Sequence, residues 1–367
     1  MVLNLRQLKN LDWSLPLVAT LLVLVGLSVI YSVTLSQTEP DYTLLNKQIV
    51  FFVVGFILFL VFMFLDYRTI GSVSWFVYVL SVLTLALVLF WGPSIHGTRS
   101  WFRFLGFTFQ PVEFAKVGFV LFLAKFLSGR IASSLCLKDF VVSFAIVSVP
   151  VILVLIQPDF GSALIFIITW FFMIWFSGLK NRHVYFMLLI ILIVSTLSWF
   201  FILAPYQKDR ILNFIDPGRD LLGAGYNVHQ SIIAVGSGGL VGRGLGLGTQ
   251  SQLHFLPEIE ADFIFASLAE ELGFFGCMFL LILFGLFFLR FYRAFSVSRD
   301  NFSQLVVLGF LSIFFLQVAV NIGMSLGLLP VTGLPLPFIS SGGSFLIMSF
   351  VMLGIVESII LRNKGVV

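Results

Sequence analysis

The chain has 367 residues, of which 59% are hydrophobic and 10% charged, and it carries a net charge of +4 with a mean hydropathy of +1.09. A water-soluble domain of this length needs far more polar surface to cover its core, so that class is excluded. Basic residues scattered singly exclude a nucleic-acid surface, two cysteines (Cys136 and Cys277) imply no disulfide framework, and the chain has no zinc spacing, Walker A loop or C-x-x-C pair.

Arg6 and Lys9 precede an apolar run over 14–34. The run is too long for a signal peptide and lacks a small-residue cleavage site, which predicts a retained signal anchor. Further apolar blocks cover 46–65, 73–91, 113–129, 140–156, 160–178, 184–204, 262–289, 303–328 and 343–361. They have about the length a helix needs to cross a hydrocarbon core. Short alternating segments of the membrane β-barrel kind are absent. The expected fold is therefore an all-α polytopic integral membrane protein of about ten transmembrane helices. A long extracytoplasmic loop, approximately 205–261, separates the seventh helix from the eighth.

Ten spans put both termini on one side. With the N-terminus inside, the inner segments hold Arg6, Lys9, Arg68, Lys125, Arg130, Lys138, Lys180, Arg182, Arg290, Arg293, Arg299, Arg362 and Lys364, which is 13 of the 21 basic residues. The outer segments hold seven: Lys47, Arg99, Arg103, Lys208, Arg210, Arg219 and Arg243. Lys116 lies within a span. The positive-inside rule thus predicts cytoplasmic termini.

Two outer segments have a pattern of their own. Residues 92–112 mix His96, Arg99 and Arg103 with Trp101, Phe102, Phe104 and Phe107, as expected at a membrane interface. In the long loop, Val228, Ile232 and Val235 recur at helical spacing and predict an interfacial helix. No internal repeat supports a transporter of the inverted-repeat kind.

Charged residues within spans cost about 2.5–3.5 kcal/mol each on insertion scales, so each needs a reason. Glu113 and Lys116 are three apart on one helix face, consistent either with a self-neutralising ion pair or with a catalytic role. Asp159 follows Gln157-Pro158 where a span begins, the place of an N-cap. Asp262 opens the eighth span beside Glu258 and Glu260; an N-cap is the plain reading, and a site carboxylate the functional one. Glu270 and Glu271 follow two turns later, about 12 Å further along a continuous helix. Their expected partners are Lys116 or a basic residue of the outer loop. The run Gly236–Gly248 has seven glycines in 13 positions but no nucleotide fingerprint, so a tightly turned loop is expected. Ser340-Ser341-Gly342-Gly343 opens the last span, either as a capped start or as a helix N-terminus facing an anion. In the ten-span topology, segments 96–116, 157–161, 205–262 and 330–343 share the outer face, where a site would act on something in the outer leaflet.

These residues resemble the shape, elongation, division and sporulation (SEDS) family of membrane glycosyltransferases over nearly the whole chain. The resemblance rests on Gly97-Thr98-Arg99-Ser100-Trp101, Gln110-Pro111-Val112-Glu113-Phe114-Ala115-Lys116 and Gln157-Pro158-Asp159-Phe160-Gly161. It continues through Gly223-Ala224-Gly225-Tyr226, Gln230-Ser231, Phe255-Leu256-Pro257-Glu258, Asp262-Phe263-Ile264-Phe265-Ala266 and Ala269-Glu270-Glu271-Leu272-Gly273. It ends with Pro330-Val331-Thr332-Gly333-Leu334-Pro335-Leu336-Pro337-Phe338 and Ser340-Ser341-Gly342-Gly343. Gly248-Thr249-Gln250-Ser251-Gln252-Leu253 resembles the elongation (RodA) branch more than the division (FtsW) branch. Four positions depart from the family pattern: Glu260-Ala261 replaces His-Thr, Val112 replaces Ser, and Ser341 replaces Tyr. The aspartate itself is retained.

The resemblance implies a peptidoglycan glycosyltransferase of the bacterial cytoplasmic membrane, formed by one transmembrane domain over 1–367, serving cell elongation and shape. It would polymerise lipid II into glycan strands at the outer leaflet. Asp262 would be the general base, and undecaprenyl pyrophosphate would leave with inversion at the anomeric carbon. Arg99, Lys116 and Arg210 are candidates for the pyrophosphate, and a divalent cation, Mg or Mn, is a candidate cofactor. Glu113, Asp159, Glu258, Ser340 and Ser341 are further candidates for binding or charge tuning. Implied partners are the growing lipid-linked strand, a class B penicillin-binding protein with transpeptidase activity, and other membrane proteins of the elongation complex; no nucleic acid is implied. The alternatives are a division-specific polymerase, a flippase for lipid-linked precursors, and a scaffold for a transpeptidase.

Overall fold

A computed structural model describes residues 12–35, 41–93, 98–104, 107–131, 136–178, 200, 208–209, 212, 214, 225–253, 255–256 and 259–364. Four helices come first: α1 (Ser14–Leu35), α2 (Thr43–Phe64), the short α3 (Tyr67–Ser72) and α4 (Ser74–Trp91). A small antiparallel hairpin, β1 (Phe102–Phe104) with β2 (Phe107–Phe109), follows, then α5 (Pro111–Ser128), α6 (Leu137–Ile156) and α7 (Phe160–Phe176). The chain continues with α8 (Tyr226–Ser237), the one-turn α9 (Thr249–Gln252), α10 (Ile264–Val297), α11 (Asn301–Ser325) and α12 (Gly343–Lys364).

Nine of the ten predicted spans coincide with these helices; the span predicted over 184–204 lies, apart from Phe200, outside the described residues. Among the described residues, seven helices are long and apolar enough to cross a membrane. Two others miss that mark for physical reasons: α5 carries Glu113, Lys116 and Lys125, and α7, at 17 residues, is short. The predicted interfacial segments are the β1–β2 hairpin and α8.

α12 is the centre of the bundle and is buried along most of its length. It packs against α2, while α5 lies between α4 and α11, and α1 and α8 both lie on α10. α2 and α4 turn most of their apolar side chains outward, among them Val53, Ile57, Trp75 and Phe90. That apolar surface is what a bilayer covers and water would not. Between α11 and α12 the chain dips into the core. Phe338, almost fully buried, sits against Phe287, Phe314 and Phe350 with ring centroids 5.5–5.6 Å apart. This aromatic anchor holds segment 334–341 under the start of α12.

α10 is two helices. Gly273 has φ 64° and ψ −161°, a backbone region essentially reserved to glycine, and it breaks the helix between 272 and 274. The break leaves backbone groups without intrahelical partners, and the glycine-rich loop supplies them. Arg243 and Gly244 donate their N–H groups to the carbonyls of Glu270 and Glu271 at 3.0 Å. Phe274 and Phe275 donate to the carbonyls of Gly239 and Leu240 at 2.9 and 3.1 Å. The predicted tight turn is therefore a plug in a broken helix.

The break changes where the two glutamates lie. Residues 274–297 alone form 24 residues of helix, or about 36 Å, enough to cross the bilayer. Outward-facing apolar residues begin at Phe274 and Phe275, whereas 264–271 are buried in protein. Glu270 and Glu271 thus precede the crossing segment and do not lie deep within it. Among the described residues, their partners are not Lys116 or any other basic side chain. Glu270 accepts from the N–H groups of Gln250 and Ser251 at 2.8 and 2.9 Å, and Glu271 from the Ser32 hydroxyl at 2.5 Å.

Candidate active site

Four helices begin at one cavity of about 160 Å³. α5 contributes Gln110 and Glu113, α7 contributes Asp159 and Ser162, and α12 contributes Gly342 to Phe345. Asp262 lies two residues before α10, and the β hairpin region adds Trp101 and Thr108. Among the described residues, no lysine or arginine lines it. The helices themselves contribute positive potential, since their N-termini each carry a partial charge of about +0.5. The converging N-termini make this end of the bundle receptive to an anion although its side chains are acidic.

Asp262 is half-buried at the cavity wall and does not cap α10; the N-cap position is Phe263, which makes no side-chain cap bond. The segment before it is pinned by three hydrogen bonds. Ser341 donates its N–H to the carbonyl of Glu260 at 2.8 Å, Ser340 its hydroxyl to that of Ala261 at 2.6 Å, and Asn321 its Nδ2 to that of Asp262 at 2.9 Å. The same Asn321 nitrogen also donates to the carbonyl of Leu334 at 2.8 Å. Gly333 faces the carboxylate: a Cβ placed there would be 3.6 Å from Asp262 Oδ2. Backbone fixed this firmly is what a reacting carboxylate needs.

Asp159 is the predicted cap, since its Oδ1 accepts from the N–H of Ser162 at 2.9 Å, and it also lines the cavity. Glu113 and Lys116 form a buried ion pair, with Nζ 2.8 Å from Oε1. Glu113 lines the cavity, while Lys116 is fully buried behind it, its Nζ 6.0 Å from the centroid of the Phe345 ring. Ser341 lines the cavity; Ser340 is buried beneath it, donating to Ala261 and accepting from the N–H of Leu336 at 2.8 Å. Arg99 is exposed, is not in the lining, and donates to the carbonyl of Leu89 at 3.4 Å. Arg210 and Glu258 lie outside the described residues.

Several functional positions had no charge to draw attention to them. Gln48 on α2 donates to the Ser340 carbonyl at 3.2 Å and accepts from the N–H of Gly342 at 3.3 Å, fixing the start of α12. Ser344 accepts from the N–H of Gln110 at 2.9 Å and so joins α12 to α5. With Asn321, these form the polar frame of the cavity. The signal was a lone uncharged polar residue within an apolar helix.

The carboxylates of Asp159 and Asp262 share the lining with the N-terminus of α12. Among the described residues, no three His, Cys, Asp or Glu side chains form a protein-only metal cage. Such a wall suits magnesium, which is commonly bound by one or two carboxylates together with substrate phosphates.

The chain matches the family model for FtsW, RodA and SpoVE, described as cell cycle proteins, over residues 12–365. It is 35% identical to the peptidoglycan glycosyltransferase MrdB of Escherichia coli (strain K12) over 345 residues, covering 94% of this chain and 93% of that protein. A chain of a peptidoglycan synthase complex, solved in a study of how polymerisation and crosslinking are coordinated, superposes with a TM-score of 0.81. The two are 33% identical, over 97% of this chain and 98% of that one. The rod shape determining protein RodA of Thermus thermophilus superposes with a TM-score of 0.71 at 32% identity, over 97% of both chains. The chain belongs to the FtsW, RodA and SpoVE family of cell cycle proteins.

Proposed function

We propose that this protein is a peptidoglycan glycosyltransferase that polymerises lipid II during cell elongation, with Asp262 as the general base. The observation that carries the reading is Asp262 itself. It is a half-buried carboxylate held by its backbone in a cavity at which four helices begin. Membership of the family and the name of the Escherichia coli relative support the reaction class.

The acceptor's 4-hydroxyl attacks the anomeric carbon of the lipid-linked donor. Asp262 takes the hydroxyl proton as the new C–O bond forms. The old bond to the pyrophosphate breaks, its electron pair leaves with undecaprenyl pyrophosphate, and the anomeric centre inverts. Negative charge grows on the leaving oxygen, and the N-terminal ends of α5, α7 and α12 are the fixed dipoles positioned for it. Lys116 contributes through Glu113, whose carboxylate it neutralises. Asp159 or Asp262 would hold a magnesium or manganese ion, which would supply charge neutralisation for the leaving pyrophosphate. The cavity is smaller than the 300–1,000 Å³ or so of drug-sized pockets, so it holds the reacting centre while the lipid tails lie outside it.

The cavity end faces outward and the termini are cytoplasmic in this reading. Support comes from the far ends of α5, α10 and α12, where Arg130, Arg290, Arg293, Arg299 and Arg362 gather. Crosslinking is left to a partner transpeptidase, a class B penicillin-binding protein.

The test is polymerisation of purified lipid II in detergent by wild type and Asp262→Ala, with and without the partner and divalent metal. Wild type makes polymer, which also excludes flipping as the sole activity. Asp262→Ala makes none while keeping its melting temperature and its partner. Polymer at the wild-type rate from Asp262→Ala sinks the proposal.

A further inference from the structure

α11 ends against the cavity floor, where Asn321 holds the carbonyls of Asp262 and Leu334. One turn deeper on the same helix lies Gln317, fully buried. Neither Nε2 nor Oε1 of Gln317 has a hydrogen-bond partner among the described residues. The same is true of Oδ1 of Asn321 and of Oε2 of Glu113. A primary amide offers two donors and two acceptor sites. Buried polar groups are almost always paired with protein or ordered water. Leu or Met would fill the volume without the desolvation cost, so space-filling does not account for a glutamine here.

The helix axes bring Glu113 and Gln317 to a similar depth, with Asn321 one turn nearer the cavity. α5 begins at the cavity and α11 ends there, so the two run antiparallel. They touch where a Cβ on Gly309 would be 2.5 Å from Val120 Cγ1. From that crossing toward the cavity, Glu113 is seven residues away and Gln317 eight, or about 10.5 and 12 Å along the two axes. Lys116 already fixes Oε1 of Glu113. Glu113, Gln317 and Asn321 each leave a buried polar atom unpartnered, and a buried water needs several such partners.

We propose that Gln317 is a positioning residue for the acidic wall of the cavity, its amide holding Oε2 of Glu113 through one buried water that also reaches Oδ1 of Asn321. Lys116 then fixes one oxygen of Glu113 and Gln317 the other, so the carboxylate has a single orientation. Asn321, one turn nearer the cavity, in turn holds the backbone of Asp262. The proposal rests on the assignment of this cavity as the polymerisation site.

Lipid II polymerisation by the full chain separates the two ideas when wild type, Gln317→Met and Asp262→Ala are compared for kcat, KM and melting temperature. Methionine keeps the volume and removes the amide. The expected result for Gln317→Met is a kcat lower by about 10-fold or more, with KM unchanged and an equal or higher melting temperature. A wild-type kcat, or a loss of kcat that only tracks a lower melting temperature, overturns the proposal. Full activity in Asp262→Ala removes the site assignment instead. A density map of wild type that resolves waters is a readout independent of any variant. Water between Gln317 and Glu113 is expected, and an amide satisfied by other protein groups overturns the proposal.

Discussion

Glu270 and Ser251 are joined twice: the carboxylate accepts the N–H of Ser251 at 2.9 Å and its hydroxyl at 2.6 Å. With the N–H of Gln250 at 2.8 Å, this carboxylate satisfies the first donors of α9. Its neighbour Glu271 accepts from Ser32 on α1, whose hydroxyl oxygen also accepts the N–H of Gly246 at 2.7 Å. Two acidic residues therefore sew the glycine loop to both α10 and α1. This is a structural use of charge, separate from the cavity carboxylates.

Glu270→Ala leaves the buried donors of α9 without an acceptor. The expected loss is about 1–3 kcal/mol of stability, with faster proteolysis within 238–252. Glu270→Gln keeps one acceptor and loses less. A thermal melt with limited proteolysis checks both, and an unchanged melt for Glu270→Ala contradicts the assignment.

Gly273 makes the loop's plug possible. Its φ of 64° together with ψ of −161° is a combination essentially reserved to glycine, and a Cβ there would meet the N of Gly242 at 2.2 Å. Gly273→Ala carries backbone strain of about 1–3 kcal/mol in addition to that clash with main chain. The expected outcome is a clear fall in melting temperature with the loop displaced from α10. Gly285, in the same helix with open space around its Cβ, is the control: Gly285→Ala is expected to be neutral or stabilising.

The Glu113–Lys116 pair gives a sharper contrast. Both side chains are essentially inaccessible to solvent. Lys116→Met leaves an uncompensated buried carboxylate and is expected to cost about 3–5 kcal/mol. The double variant Glu113→Gln with Lys116→Met removes both charges and recovers most of that stability. Polymerisation is expected to stay low in the double variant, because the cavity wall has changed. Recovery of activity together with stability would make the pair purely structural.

How much of this was legible in the sequence follows from what each signal measures. Apolar block length reports membrane crossing, and the described helices follow it closely from Ser14 to Lys364. Spacing found the Glu113–Lys116 pair, and the residues around Asp159 announced a cap. Hydropathy could not find the break at Gly273, because a half-helix buried in protein and a lipid-facing one are equally apolar. Expecting one continuous helix put Glu270 too deep. Gln48, Gln317 and Asn321 carry no charge, so the insertion cost that marks Glu113 and Lys116 does not mark them. A neutral amide buried among helices is weaker as a sequence signal, and its importance shows only through the backbone groups it holds.

The paired glycines at the start of α12 separate packing from function. A Cβ on Gly343 would be 2.3 Å from two ring atoms of Phe51 on α2, the helix against which α12 packs. Gly343→Ala therefore overpacks a helix contact and is expected to cost about 1–3 kcal/mol. A Cβ on Gly342 meets nothing closer than Phe345 Cβ at 3.5 Å, an ordinary contact. Yet Gly342 lines the cavity, and its N–H is held by Gln48 whatever its side chain. Gly342→Ala is thus expected to change stability by less than about 0.5 kcal/mol. It takes up part of a cavity of only about 160 Å³, so its effect is expected on polymerisation. Melting temperature and lipid II turnover measured on both variants test the division. Gly343→Ala lowers the first, and Gly342→Ala lowers the second alone. The reverse pattern would mean that α12 does not begin at the reacting centre.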